Sequence, residues 1–354
     1  MEFLRFGYRA AAGAAVVGML AGCGGGGGGA SPVQQSDSGA SSAAQIRARG
    51  VLAPFRGLQR SSNSERRQSW MAPEAKKSAN LLYVADEATN DVYVYSYPRG
   101  SLKGTLTGFN APSGMCSNSA GDVFILNGNG STIDVYAHGG TTPLRTLAVP
   151  GYPELNCSVD PRTGNLALGA LDGSCGDCVV VYANAQGTPT TYSPSGQVGI
   201  PGCGYDDKGN LFCDAYSSDD RKFELLELAA GSSTFTNVAV NAGSIESGPV
   251  QWDGQYLAIG SGATGTIFQI QLSGSAGTVE GSTQLGGTGW VWQFWITNTH
   301  GSLRKSQGTR IIAPTYGGSQ AVAAYWDYPA GGAPTKAITG FSQPDGATLS
   351  TIKT

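Results

Sequence analysis

Asp207-Lys208-Gly209-Asn210-Leu211-Phe212-Cys213-Asp214 reads as a tight turn followed by a short strand, and the pattern recurs along the chain. Ala120-Gly121-Asp122-Val123-Phe124-Ile125-Leu126 and Arg162-Thr163-Gly164-Asn165-Leu166-Ala167-Leu168 precede it. Trp252-Asp253-Gly254-Gln255-Tyr256-Leu257-Ala258-Ile259 and Gln307-Gly308-Thr309-Arg310-Ile311-Ile312-Ala313 follow it. The marker glycines are Gly121, Gly164, Gly209, Gly254 and Gly308, so the steps are 43, 45, 45 and 54 residues. A period of roughly 40–50 residues with several short strands in each is the signature of a β-propeller.

Working outward, the composition agrees. Charge is sparse at 13%, and glycine is abundant at 54 residues. Short Val/Ile/Tyr/Leu runs alternate with Gly, Pro, Asn and Asp clusters, which describes an all-β domain. Each period supplies up to four strands, for example Gly114 to Ser117, Val123 to Asn127, Ile133 to Ala137 and Leu144 to Val149. The first period starts at Leu81 to Asp86, on what corresponds to a second strand, and its innermost strand is missing. Gly340-Phe341-Ser342-Gln343-Pro344-Asp345-Gly346-Ala347-Thr348 matches Gly108-Phe109-Asn110-Ala111-Pro112-Ser113-Gly114-Met115-Cys116, which leads into an innermost strand. The C-terminus is therefore expected to pair into the first blade and close a six-bladed ring over residues 79–354. Closure covers edges that would otherwise be exposed.

Ahead of that domain, Arg5 and Arg9 precede an apolar stretch from Ala10 to Leu20 that is too short to span a bilayer. This is the anatomy of a signal peptide over residues 1–22. Leu20-Ala21-Gly22-Cys23 resembles the lipobox of bacterial lipoproteins. The resemblance implies that Cys23 is lipidated, becomes the mature N-terminus and holds the protein on a membrane. Gly24 after the cysteine implies, in that family, passage to the outer membrane. A glycine run from Gly24 to Gly29 and a Ser/Ala/Gln-rich stretch read as tether, and residues 23–78 as lipidated cysteine plus flexible basic linker.

The formal net charge of −3 hides an asymmetry. Residues 24–78 carry eight Lys/Arg against three acids, a net of +5, while residues 79–354 carry 12 against 21, a net of −9. An acidic folded domain speaks against nucleic acid as a partner. The basic linker either lies against anionic lipid or stays solvated.

Past Cys23 there are six cysteines, and export to an oxidising compartment allows disulfides. Cys203 and Cys213 flank a turn symmetrically and should face each other across a hairpin. Cys175 and Cys178 stand in one loop, where a local disulfide outweighs a zinc or redox role. Cys116 and Cys157 occupy matching innermost positions of adjacent blades.

Pro112-Ser113-Gly114, Asp207-Lys208-Gly209-Asn210-Leu211-Phe212 and Ile133-Asp134-Val135-Tyr136 resemble the blade motifs of NHL-repeat and gluconolactonase-like propellers. The resemblance is informative for the fold and says little about activity. It implies a ligand site at the channel mouth, where the loops carry Asp86, Glu87, Asp91, Glu154, Asp172, Asp177, Asp219, Asp220 and Glu246. Gluconolactonase-like propellers hold a divalent metal there. Asp86, Asn127, Asp172 and Asp214, at or just past second strands, are the candidates for such a site, and Ca²⁺ is the cation that oxygen ligands suit. The alternative is that Asp and Asn stand in these loops for turn geometry alone.

Support for a catalytic nucleophile is weak. His138 falls on the face away from the mouth, His300 lies in a long hairpin, and the chain has no Gly-x-Ser-x-Gly elbow. Trp290, Trp292 and Trp295 are expected on one face of a strand, as inter-blade core. The leading expectation is a membrane-tethered scaffold that binds a protein or small-molecule ligand at its acidic mouth. The rival is a divalent-metal-dependent hydrolase of the lactonase type, and a third reading is a purely structural envelope protein.

Overall fold

The computed structural model describes residues 68–352, apart from 220–221, 242–244, 247, 298–307 and 317–320. The signal segment, Cys23, linker residues 24–67, Asp220 and His300 lie outside the described residues. The fold is all-β and arranged like a propeller. Its strands form antiparallel meanders whose first strands line the axis and whose last strands lie at the rim.

The first sheet runs, from rim to axis, β1 (Trp70–Met71), β4 (Leu102–Thr107), β3 (Asp91–Ser96), β2 (Asn80–Asp86) and β25 (Pro344–Thr351). The next holds β5 (Pro112–Ser117), β6 (Val123–Asn127), β7 (Thr132–Tyr136) and β8 (Pro143–Ala148). It is followed by β9 (Tyr152–Val159), β10 (Leu166–Gly173), β11 (Gly176–Tyr182) and β12 (Thr190–Tyr192).

An eight-stranded sheet then joins two meanders. One is β13 (Gly202–Tyr205), β14 (Leu211–Tyr216), β15 (Phe223–Leu228) and β16 (Thr236–Asn241). The other is β17 (Val250–Trp252), β18 (Leu257–Ser261), β19 (Thr266–Ser273) and β20 (Ala276–Gln284). Their rim strands β16 and β20 pair in parallel, Ala239 with Ala276 through Asn241 with Thr278, so neither presents an open edge there. The last sheet is β21 (Trp295–Ile296), β22 (Arg310–Thr315), β23 (Val322–Asp327) and β24 (Lys336–Thr339).

Burial follows position in the sheet. β2, β6 and β18 are buried along nearly their whole length, because sheets pack against both of their faces. That explains why these strands read as continuous apolar runs rather than alternating ones. Rim strands such as β8 and β16 keep one face in solvent and are mostly exposed.

The chain ends meet as the sequence pattern predicts. β25 supplies the innermost strand of the first sheet, pairing with β2 from Asn80↔Thr351 to Asp86↔Pro344. At the other edge of that sheet the structure adds something. Trp70 and Met71, inside the segment read as linker, pair with Thr105 and Gly104 as β1, and a short 3-10 turn follows at Ala75–Lys77. Ala75 is fully buried and Met71 packs against the same cluster, so these apolar residues anchor the segment.

Four of the recurrent turns, all but the one at Gly308, are seen to rest on one Asx side chain each. Asp206 Oδ1 accepts the N–H groups of Lys208 and Asn210, and Gly209 supplies a φ of +85°. Asn118, Asp160 and Asp253 serve the corresponding turns in the same way. The anchoring carboxylate, Asp206, thus stands immediately ahead of the quoted motif.

All six cysteines of the domain are paired. Cys203 and Cys213 sit directly opposite each other on β13 and β14 and form a disulfide. Cys175–Cys178 is a loop disulfide, and Cys116–Cys157 ties β5 to β9.

Candidate functional site

Buried amides bridge the inner strands about the axis. Asn156, on β9, is 4% exposed; its Oδ1 accepts the Cys203 N–H at 3.0 Å, and its Nδ2 donates to the carbonyls of Cys203 (3.3 Å) and Val250 (3.0 Å). Gln293, just ahead of β21 and 1% exposed, does the same on the other side. Its Oε1 accepts from the Met115 and Ala347 N–H groups at 3.1 and 2.9 Å, and its Nε2 donates to the Met115 carbonyl. Glycines let the inner strands approach closely. A Cβ at Gly114, Gly248 or Gly346 would stand well inside 3.0 Å of a neighbouring carbonyl oxygen, of Leu155, Gly260 and Ser113 respectively. Trp295 packs against both the cluster that holds Cys116 and Cys157 and the cluster that holds Ala347 and Leu349.

The carboxylates and amides of the mouth face engage backbone. Asp86 is fully buried, and its two oxygens accept the N–H groups of Ser342 (2.7 Å) and Gln343 (2.9 Å), which lead into β25. Asn127 Oδ1 accepts from the Asn110 N–H at 2.6 Å, and its Nδ2 donates to Thr132 Oγ1 at 3.3 Å. Asp214 is fully buried and accepts the Gly248 N–H at 2.6 Å. Asp172 lies in β10; its side chain is outside the described residues. Each of the three described candidates therefore serves a different loop. Among the described residues no group of three or more His, Cys, Asp or Glu is arranged to hold a metal ion. These amides take two of the roughly four acceptor positions of the Asp86 carboxylate, and no trio of acids stands ready to share a cation with it among the described residues.

Other mouth acids follow suit. Asp177 Oδ2 accepts the Gly199 N–H at 3.0 Å, Glu224 Oε2 accepts from Gln197 Nε2, and Glu87 Oε2 from Gln343 Nε2, both at 2.6 Å. Asp219 and Glu246 remain exposed.

The tryptophan run departs from the expected regular strand. Val291 and Phe294 are the residues that enter the core, at 1% and 2% exposure. Trp290 and Trp292 instead stack on each other, half-buried, with ring centroids 5.2 Å apart and planes 8° from parallel. The Trp292 indole N–H donates to the Tyr316 hydroxyl at 2.7 Å, and Trp290 N–H to the Tyr316 carbonyl at 2.8 Å. Pairing on β21 begins only at Trp295, because the chain ahead of it is drawn aside by the Gln293 contacts and the Val291 N–H bond to Gly262. The result is a fixed aromatic patch beside the bridged inner strands, on the same face as Asp219 and Glu246.

His138 is placed on the opposite face, as expected. Its Nε2 is 2.7 Å from the Ser78 carbonyl and its Nδ1 2.7 Å from Ser350 Oγ. Burial holds the imidazole below its ordinary pKa.

No family model matches this sequence, and no curated protein is similar to it. Solved structures do share its fold. One is a chain of a nidogen/laminin complex, with a TM-score of 0.57 at 14% identity, covering 77% of this chain and 98% of that one. Another is a protein of unknown function from Bacteroides caccae, with a TM-score of 0.54 at 13% identity, covering 77% and 99%. At such identities the likeness shows a β-propeller and nothing about activity.

Proposed function

We propose that this chain is an exported, lipid-anchored six-bladed propeller that acts as a protein-binding scaffold through its mouth face. The observation that carries the reading is the stacked Trp290–Trp292 pair beside inner strands bridged by Asn156 and Gln293. Large aromatic side chains held at a surface are what protein interfaces enrich. Asp219 and Glu246 give that surface an acidic rim. The fold-level likeness to a chain solved within a nidogen/laminin complex is compatible with such a role.

The six-bladed count treats the eight-stranded sheet as two blades zipped at the rim by β16 and β20. Anchoring at Cys23 and passage to the outer membrane rest on the lipobox resemblance; incorporation of labelled palmitate, lost in Cys23→Ser, tests them. The lactonase reading rests on resemblance alone. Its test is metal analysis of the purified protein and lactone hydrolysis with and without chelator.

For the scaffold itself, a photo-crosslinking amino acid is placed at Glu246 on the mouth face or at Ser232 on the opposite face, in the producing cell. One discrete adduct from position 246 that disappears in Trp290→Ala/Trp292→Ala supports the reading. Equal adducts from both positions, or none from the mouth, overturn it.

A further inference from the structure

Away from the mouth, between the meander β9–β12 and the meander β13–β16, the turns border an open cleft of about 380 Å³. That is within the size range of small-molecule sites, roughly 300–1,000 Å³. Its floor and walls are Tyr205, Tyr192, Val181, Leu211 and Leu228, and its polar rim is Asp160, Arg162, Asn165, Lys208 and Ser232.

Tyr205 is the telling residue. It is 8% exposed and lines the cleft, and its hydroxyl, bonded to no described residue, is reachable from the cleft. A phenol donor presented to a cleft is a group that an entering ligand can engage. Burial, with the Asp160 carboxylate nearby, pushes this phenol well above the ordinary tyrosine range, so it stays a hydrogen-bond donor. Tyr192 is set by an edge-on contact with Phe235 at 5.9 Å. The rim is held too. Arg162 donates from Nη1 to the Lys208 carbonyl at 2.5 Å, and Asp160 is fixed by the Arg162 N–H and the Thr163 hydroxyl.

The chemistry of the lining selects among ligands. A purely apolar molecule would leave the phenols unsatisfied. A simple anion would meet Arg162 and Lys208 but also the Asp160 carboxylate. A molecule rich in hydroxyls both donates and accepts, so it can satisfy a set of mixed sign, and its C–H face suits the tyrosine rings. We propose that this cleft binds a neutral saccharide, independently of the mouth face.

The test uses the full chain. Melting temperature is followed with glucose, galactose or N-acetylglucosamine up to about 100 mM, and with benzoate as an anionic aromatic probe; a ligand that binds only the folded state raises it. The expected result is a saturable rise with at least one sugar, weakened tenfold or more in Tyr205→Phe and in Lys208→Gln, and unchanged in Trp290→Ala. Tyr205→Phe keeps the ring and so keeps the fold, and the ligand-free melting temperature of each variant verifies this. No rise with any of the three sugars, a rise with benzoate alone, or a rise that both cleft variants retain would overturn the proposal. The mouth scaffold can fail its own test without touching this one.

Discussion

Asn156 and Gln293 stand on opposite sides of the axis and share no partner, yet they do the same thing. Asn156 joins Cys203 and Val250; Gln293 joins Met115 and Ala347. Between them they stitch β13 and β17 to β9, and β5 and β25 to the start of β21. Replacing either by alanine leaves buried backbone groups without partners, at about 1–3 kcal/mol per substitution. Because the two share no partner, the double variant should lose the sum of the two losses to within about 0.5 kcal/mol. Urea unfolding of the four proteins measures this. A double variant far from additive would mean that the axis acts as one coupled unit.

Inner-strand glycines let the strands draw together about the same axis by lacking a side chain. At Gly114 a Cβ would collide with the Leu155 carbonyl, which is backbone and cannot swing aside. Gly114→Ala is expected to cost about 1–3 kcal/mol as an overpacking change. Gly262→Ala is the control, since its nearest neighbour, the Val291 carbonyl oxygen, would lie 3.2 Å from the new Cβ. Equal unfolding midpoints for the two variants would remove close approach as the reason for Gly114.

How much of this was legible in the sequence depends on whether the information is local. The Gly209 turn and its kin are legible because an Asx residue and a left-handed glycine are adjacent in the chain. The pairing of β25 with β2 is legible because Gly340 to Thr348 repeats a segment whose place was already known. Cys203 and Cys213 face each other because a hairpin makes them neighbours. The metal candidates Asp86, Asn127 and Asp214 show the limit. Sequence places them at the mouth, but the amides they accept from, such as Ser342 and Gly248, belong to distant segments. Gln293 went unnoticed inside a tryptophan-rich run whose apparent alternation suggested a regular strand. The one local hint for Asn156 was an amide at the head of Asn156 to Val159, a run otherwise of small or apolar residues.

The three disulfides close loops of very different size, with sequence separations of 41, 10 and 3 for Cys116–Cys157, Cys203–Cys213 and Cys175–Cys178. In the chain-entropy account their stabilisation follows loop length, at about 4, 3 and 1.5 kcal/mol. Pairwise Cys→Ala variants should therefore lose urea stability in that order. If the loss from removing Cys175 and Cys178 matched that from removing Cys116 and Cys157, native-state packing rather than loop closure would set their worth.

His138 links the chain ends at the closure. A carbonyl can only accept, so Nε2 carries a proton toward Ser78, while Nδ1 lies 2.7 Å from Ser350 Oγ, whose hydroxyl also reaches the Gly121 carbonyl. No carboxylate is among the groups identified as acting on the ring; its partners are the Ser78 carbonyl, the Ser350 hydroxyl and the backbone at Ala75. Burial is the largest influence and lowers the folded pKa, while the unfolded imidazole keeps its ordinary value near ~6.5. Between those two values the unfolded chain binds more protons than the folded one, so stability must fall as pH falls. The contribution is complete above the ordinary imidazole range, drops as pH passes down through it, and levels off below the lowered folded value. Melting temperature recorded from about pH 7.5 to about 5, above most carboxylate titration, should decline in the native chain. In His138→Gln the decline should be shallower, while His300 is common to both proteins and cancels in the comparison. Identical slopes in the two proteins would show that protonation of His138 does not bear on the closure.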